Sequence, residues 1–163
     1  MKHRWIVLLG AGACVAVTAV VIVVFVTSSY LTSRSDQSLL RPNDIQLTVL
    51  GAEIYKTNCA SCHGVSLEGE TNWQRPNPDL TMPAPPHDET GHTWHHDDET
   101  LFKLTKFGLA AFVEDKNYKS NMPAYENVLD DSEIIAVLSF IKSRWPKDVQ
   151  HRHDQLNQIE RRR

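Results

Sequence analysis

The sequence predicts an all-α domain of about 100 residues behind one N-terminal transmembrane helix. Three observations carry this. Residues 6–26 form an uncharged, mostly apolar run of 21 positions, broken only by small residues and Thr18. Three later stretches show helical apolar spacing with capping residues, and little in the chain alternates as a strand would. Between them, residues 64–96 hold Pro76, Pro78, Pro83, Pro85 and Pro86, too many for regular helix or a central strand. With 163 residues, 41% hydrophobic and 23% charged, and only seven Gly and eight Pro, collagen-like, low-complexity and wholly disordered chains are excluded.

Residues 1–5, carrying Lys2 and Arg4, are expected on the cytoplasmic side of an anchor at 6–26, because basic residues stay inside. The run spans roughly 30 Å as a helix, the thickness of the hydrocarbon core, and exceeds a secretory h-region of about 7 to 15 residues. Ala11-Gly12-Ala13-Cys14 is a poor relative of a lipoprotein site, lacking the usual Leu, so Cys14 reads as a small residue within the membrane helix. Residues 27–44, rich in Ser, Thr, Asp, Asn and Gln, read as a flexible tether with a reach of roughly 20 to 25 Å. Leu47, Leu50, Ile54 and Tyr55 then set the inner face of a helix from Ile45 to near Cys59. A loop of some 30 residues would count against a compact domain unless something besides packing orders it. Asp97 is the expected N-cap of a helix over 98–107, with Leu101, Phe102, Leu104 and Thr105 inside and Gly108 as the stop. Asp130 and Glu133 make a capping-box pair for the last helix, whose buried side is Ile134, Ile135, Val137, Leu138, Phe140 and Ile141, closed by Pro146. The domain thus covers 45–146, and residues 147–163, polar and basic, are expected to be a disordered tail.

Over 46–146 there are eight Lys and Arg against fifteen Asp and Glu, a balance of −7 where the whole chain carries −3. Such a domain repels nucleic acid and anionic lipid and favours a partner with a basic face. Its core is thin for so many polar loops, and three cysteines give no disulfide framework, so another source of apolar volume is required.

Cys59-Ala60-Ser61-Cys62-His63 supplies it: C-x-x-C-H is the pattern of covalent haem attachment. Two thiols add to the two porphyrin vinyl groups, and one helical turn sets their spacing, with the His following to meet the iron. A thioredoxin-like C-x-x-C expects a βαβ setting, and a zinc ribbon a second Cys pair; the chain offers neither.

With this motif between a first helix and a proline-rich loop, residues 45–146 resemble a class I cytochrome c domain. The resemblance implies a first helix leading into C-x-x-C-H, a loop around one covalent haem c, a middle helix, a loop delivering a Met, and a last helix crossing the first. It implies that Cys59 and Cys62 hold the haem, that His63 is one axial ligand, and that Gly51 and Tyr55 pack against Phe140 or Trp145. Two Met-Pro pairs compete for the sixth position. Met122, in Asn121-Met122-Pro123-Ala124-Tyr125 ahead of the last helix, resembles the family's ligand loop, whereas Met82 lies only 19 residues after His63. The family's proline carbonyl, which accepts from the proximal His, is assigned to Pro78, with Pro83 next; several prolines share that window. Trp94 and Tyr125 are candidates for the haem wall or for a propionate hydrogen bond, and equally for ordinary core.

The run 86–98 holds four His (His87, His92, His95, His96) and four carboxylates, by ligand type able to take a divalent metal such as copper or zinc. It is similar to a run in a subset of membrane-anchored cytochromes. The alternative is that it caps the middle helix and leaves its imidazoles in solvent. Together these readings describe an electron-transfer protein rather than an enzyme: a single-pass protein of the bacterial inner membrane, its C-terminal domain in the periplasm, passing single electrons between redox partners. The rivals are a copper-handling or assembly module built on the His run, and a catalytic haem with an open sixth position.

Overall fold

The structure, a computed structural model, describes residues 38–113 and 118–163. The expected anchor at 6–26, with Cys14, lies outside the described residues. Among those residues no helix is long and apolar enough to cross a membrane. They form α1 (Ile45–Asn58), a single turn α2 (Ala60–His63), a 3-10 turn (Thr93–His95), α3 (Asp98–Phe107), a second 3-10 turn (Leu109–Ala111), α4 (Asp131–Arg144) and α5 (Lys147–Glu160), with no strand.

The caps fall where side-chain chemistry puts them. Asp44 accepts from Leu47 N at 3.1 Å to start α1. Asp97 accepts from Glu99 N and Thr100 N at the head of α3, and Gly108, at φ 77°, ends it. Asp130 and Glu133 complete a reciprocal capping box on α4.

The centre of the fold is the crossing of α1 on α4. Gly51 permits it: a Cβ there would collide with the Ala136 carbonyl and lie 2.8 Å from Phe140 Cβ. One turn on, the Tyr55 ring tilts against Phe140 with centroids 5.5 Å apart. The buried stripe of α1 is therefore Gly51, Ile54 and Tyr55, with Leu47 beside it, and Leu50, expected inside, is 47% exposed. Periodicity favoured the leucine. The close approach needs the residue without a side chain, and this rotates the face by one position.

Two segments expected to be loose are ordered. Residues 147–163 carry α5, whose buried positions are Val149, Gln150, His153 and Asn157. Three of these four are polar, so no apolar periodicity marks the helix in the sequence. It docks by hydrogen bonds instead: Gln150 Nε2 donates to Trp145 O (2.9 Å), and His153 Nε2 to His96 O (2.8 Å). Asn157 exchanges two bonds with Asp98, donating to its carboxylate at 2.9 Å and accepting from its backbone N at 2.8 Å. The end of the expected tether is docked too. Leu40 is buried, its backbone N and the Ser38 hydroxyl both donate to Asp98 Oδ2, and Arg41 N donates to Ser139 Oγ on α4.

Asp98 is thus the centre of a buried polar knot joining the chain before α1, the start of α3, α4 and α5. Lys142, 1% exposed, adds the cation, 2.6 Å from Asp154 and 3.9 Å from Asp98. Each buried charge has partners, as burial of charge demands. This lining also explains why α4 is buried on nearly all sides, Ser139 and Lys142 included.

Candidate haem site

Cys59 ends α1, its N–H donating to Tyr55 O. The chain then tightens into α2, where Cys62 N and His63 N both donate to Cys59 O, at 3.1 and 2.9 Å. This turn places both thiols and the imidazole in one revolution. Two buried tyrosines grip it: Tyr55 Oη donates to Gly64 O (2.9 Å), and Tyr125 Oη to Asn58 O (2.6 Å). Burial, then the neighbouring thiols, push Tyr125 up to about 12, so it remains a donor at ordinary pH. Cys59 is half-buried and Cys62 exposed. Burial and Cys62 push the Cys59 thiol up to about 11.

His63 is buried, 9% exposed, and its Nδ1 lies 2.8 Å from Pro85 O. A carbonyl can only accept, so Nδ1 carries the proton and Nε2 keeps its lone pair for a metal. Burial lowers the imidazole's pKa more than the Pro85 bond raises it, which keeps the ring in its neutral, ligating form. The donor set is that of a haem attached through two thioethers and ligated by an imidazole with a fixed tautomer.

A family model described as Cytochrome c matches residues 48–145, more than half of the chain. This chain belongs to the cytochrome c family. No significant match was found among curated proteins or among solved structures. Membership brings covalently bound haem c, with Cys59 and Cys62 as its attachment residues, and makes the domain a haem-based electron carrier. Helix α5 lies beyond the matched residues.

Within this cytochrome c domain the proline behind His63 is Pro85, which corrects Pro78 and Pro83. Gly69 N donates to His63 O and Glu70 N to Ala84 O, both at 2.8 Å, so 69–70 runs alongside 84–86. Gly69, at φ 69°, is the point of closest approach, where a Cβ would lie 2.7 Å from Pro85 C. That pairing delivers the Pro85 carbonyl. Pro78 sits exposed in a local turn closed by Leu80 N to Asn77 O and Asn77 N to Thr81 O. The Pro85-Pro86 pair is visible in the sequence, but only the register of this loop distinguishes it.

Asn121 Nδ2 donates to Thr81 Oγ1 at 3.3 Å, so the loops bearing Met82 and Met122 adjoin. Met122 is half-buried, its N–H donating to Ser120 Oγ, while Met82 is 40% exposed. Tyr125 and Trp94 do not hold their donors out for a propionate. Tyr125 spends its hydroxyl on Asn58, and Trp94 Nε1 donates to Glu89 O at 3.3 Å, its ring covered by His95 and by the Arg152 guanidinium.

The four histidines of 86–98 go to different neighbours. His87 stacks on His63, His92 stacks on Trp73 and meets His96 edge-on, and His95 lies against Trp94. Among the described residues no three His, Cys, Asp or Glu side chains converge as a metal site would need. The run does cap the middle helix, through Asp97.

Proposed function

We propose that the chain is a membrane-anchored one-electron carrier with a single haem c ligated by His63 and Met122, passing electrons between membrane-bound or periplasmic redox partners. The observation that carries the reading is the hydrogen bond from His63 Nδ1 to Pro85 O beside the C-x-x-C turn, which leaves Nε2 unprotonated in a buried, neutral imidazole. When bound, the haem supplies a one-electron ferric/ferrous couple. Cys59 and Cys62 hold it, Pro85 fixes the tautomer of His63, and Tyr55 and Tyr125 keep the turn rigid, so that little structure has to rearrange on electron transfer. Met122 supports the sixth position by its half-burial and its place in the loop ahead of α4. A thioether is a soft, neutral donor that favours ferrous iron and raises the potential.

The uncharged run at 6–26 supports a single-pass anchor in a bacterial inner membrane with the domain in the periplasm, where tethering raises the effective concentration near a membrane partner. The balance of −7 over 46–146 supports redox partners with basic docking faces, and transfer rates that fall as salt screens the attraction. The test is the optical spectrum of the purified protein, oxidised and reduced, with and without carbon monoxide, in wild type and Met122→Ala. A weak far-red thioether-to-iron band that vanishes in the variant, with no carbon monoxide binding by wild type, is expected. Carbon monoxide binding by wild type, or a band indifferent to Met122, overturns the His/Met carrier.

A further inference from the structure

The Pro85 bond fixes the tautomer of His63 but not its ring plane. A single hydrogen bond tolerates a range of angles, so the imidazole can still swing within it. The ring that limits this swing is His87, whose centroid lies 3.9 Å from that of His63 with planes 23° apart. His87 is itself held at several points. Its backbone N donates to Leu67 O at 2.8 Å, and its carbonyl accepts from Trp145 Nε1 at 2.7 Å. Its Nδ1 is hydrogen-bonded to Thr93 Oγ1 at 2.9 Å, and the Thr93 hydroxyl lies 3.4 Å from Pro86 O. The edge of Tyr55 closes another side, with ring centroids 6.2 Å apart. The supports extend outward: Trp145 caps α4, Gln150 of α5 donates to its carbonyl, and His153 of α5 holds the same loop at His96.

We propose that His87 is a positioning residue for the axial ligand, its anchored ring setting the rotational orientation of the His63 imidazole by face-to-face stacking. The proposal rests on the reading of His63 as iron ligand. A packing residue would need only apolar volume at this position, behind a buried imidazole. The chain instead places a planar ring there, holds the ring through Nδ1 to Thr93 and pins its backbone at Leu67 and Trp145, as a support that orients a ligand requires. The orientation of an axial imidazole, together with that of the sixth ligand, sets how unpaired spin is distributed over the porphyrin in ferric iron. A fixed ring spreads the four haem methyl resonances widely, and a ring averaging over orientations draws them together.

The experiment compares proton spectra of oxidised, haem-loaded wild type, His87→Leu, His87→Phe and Thr93→Val. Expected are a narrowed methyl spread in His87→Leu, recovery in His87→Phe, which restores a flat face, and partial narrowing in Thr93→Val, which removes one anchor. Wild-type spread in His87→Leu, or equal narrowing in the Leu and Phe variants, overturns the proposal while leaving His63 as ligand. Should His87→Leu fail to incorporate haem, Thr93→Val decides: narrowing supports the proposal and an unchanged spread overturns it. Absence of any hyperfine-shifted axial imidazole signal in wild type overturns both this proposal and the ligand assignment beneath it.

Discussion

Replacing Gly51 with Ala tests the crossing on which the haem-binding fold is built. At an open position in a helix the change should stabilise, since Ala is favoured over Gly by about 1 kcal/mol. At Gly51 the new Cβ would collide with the Ala136 carbonyl oxygen, lie 2.6 Å from its carbon and 2.8 Å from Phe140 Cβ. Ordinary carbon contacts begin near 3.4 Å. The two helices must therefore part by about 1 Å, and the obstacle is backbone, which cannot turn aside as a flexible side chain can. Overpacking of this kind costs about 3 kcal/mol at the upper end of its usual range, leaving a net loss of about 2 kcal/mol after the propensity gain. For a domain of this size that is a fall of roughly 6 to 10 °C in Tm. Thermal unfolding of the haem-loaded protein measures it, with Gly51→Ala beside wild type. A Tm equal to or above that of wild type counts against the clash, because propensity would then have outweighed the contact.

Asp98→Ala should cost about 3 to 5 kcal/mol, because it strips Leu40 N and Asn157 Nδ2 of their buried acceptor and leaves Lys142 with the half-exposed Asp154, and amides in 147–160 should exchange faster; unchanged protection there counts against the role of the knot. Tyr125→Phe removes the 2.6 Å bond to Asn58 O and should lower stability by about 1 to 2 kcal/mol, read as a lower denaturant midpoint. His153 titrates below the ordinary imidazole range, chiefly through burial and then through Lys142, with Asp98 and Asp154 opposing. The unfolded chain therefore binds the proton first. Stability is present above about pH 6.5 and is lost as pH falls below it, by up to about 1.4 kcal/mol per pH unit. His153→Gln should flatten that acid slope in Tm measured between pH 7.5 and 5; an identical slope counts against it.

Elements whose signals are local are legible in the residues alone. Asp97 and Asp130 head the middle and last helices of the family domain, and Gly108 ends the middle one, because capping needs only neighbouring backbone. C-x-x-C-H fixed the cofactor for the same reason, since the attachment chemistry is written within one turn. The rest depends on contacts between residues distant in the chain. Pro85 displaced Pro78 because the register of 69–70 against 84–86, set at Gly69, chooses the carbonyl that meets His63. Leu50 turns outward, against its periodicity, because the α4 backbone leaves room for no side chain at Gly51, whose place in the crossing the family resemblance had implied. Helix α5 had no apolar stripe to announce it, since His153, Asn157 and Gln150 dock by hydrogen bonds whose acceptors lie in other elements. The stacking of His87 on His63, 24 positions apart, leaves no mark in periodicity or spacing, because it exists only once the proline-rich loop has closed.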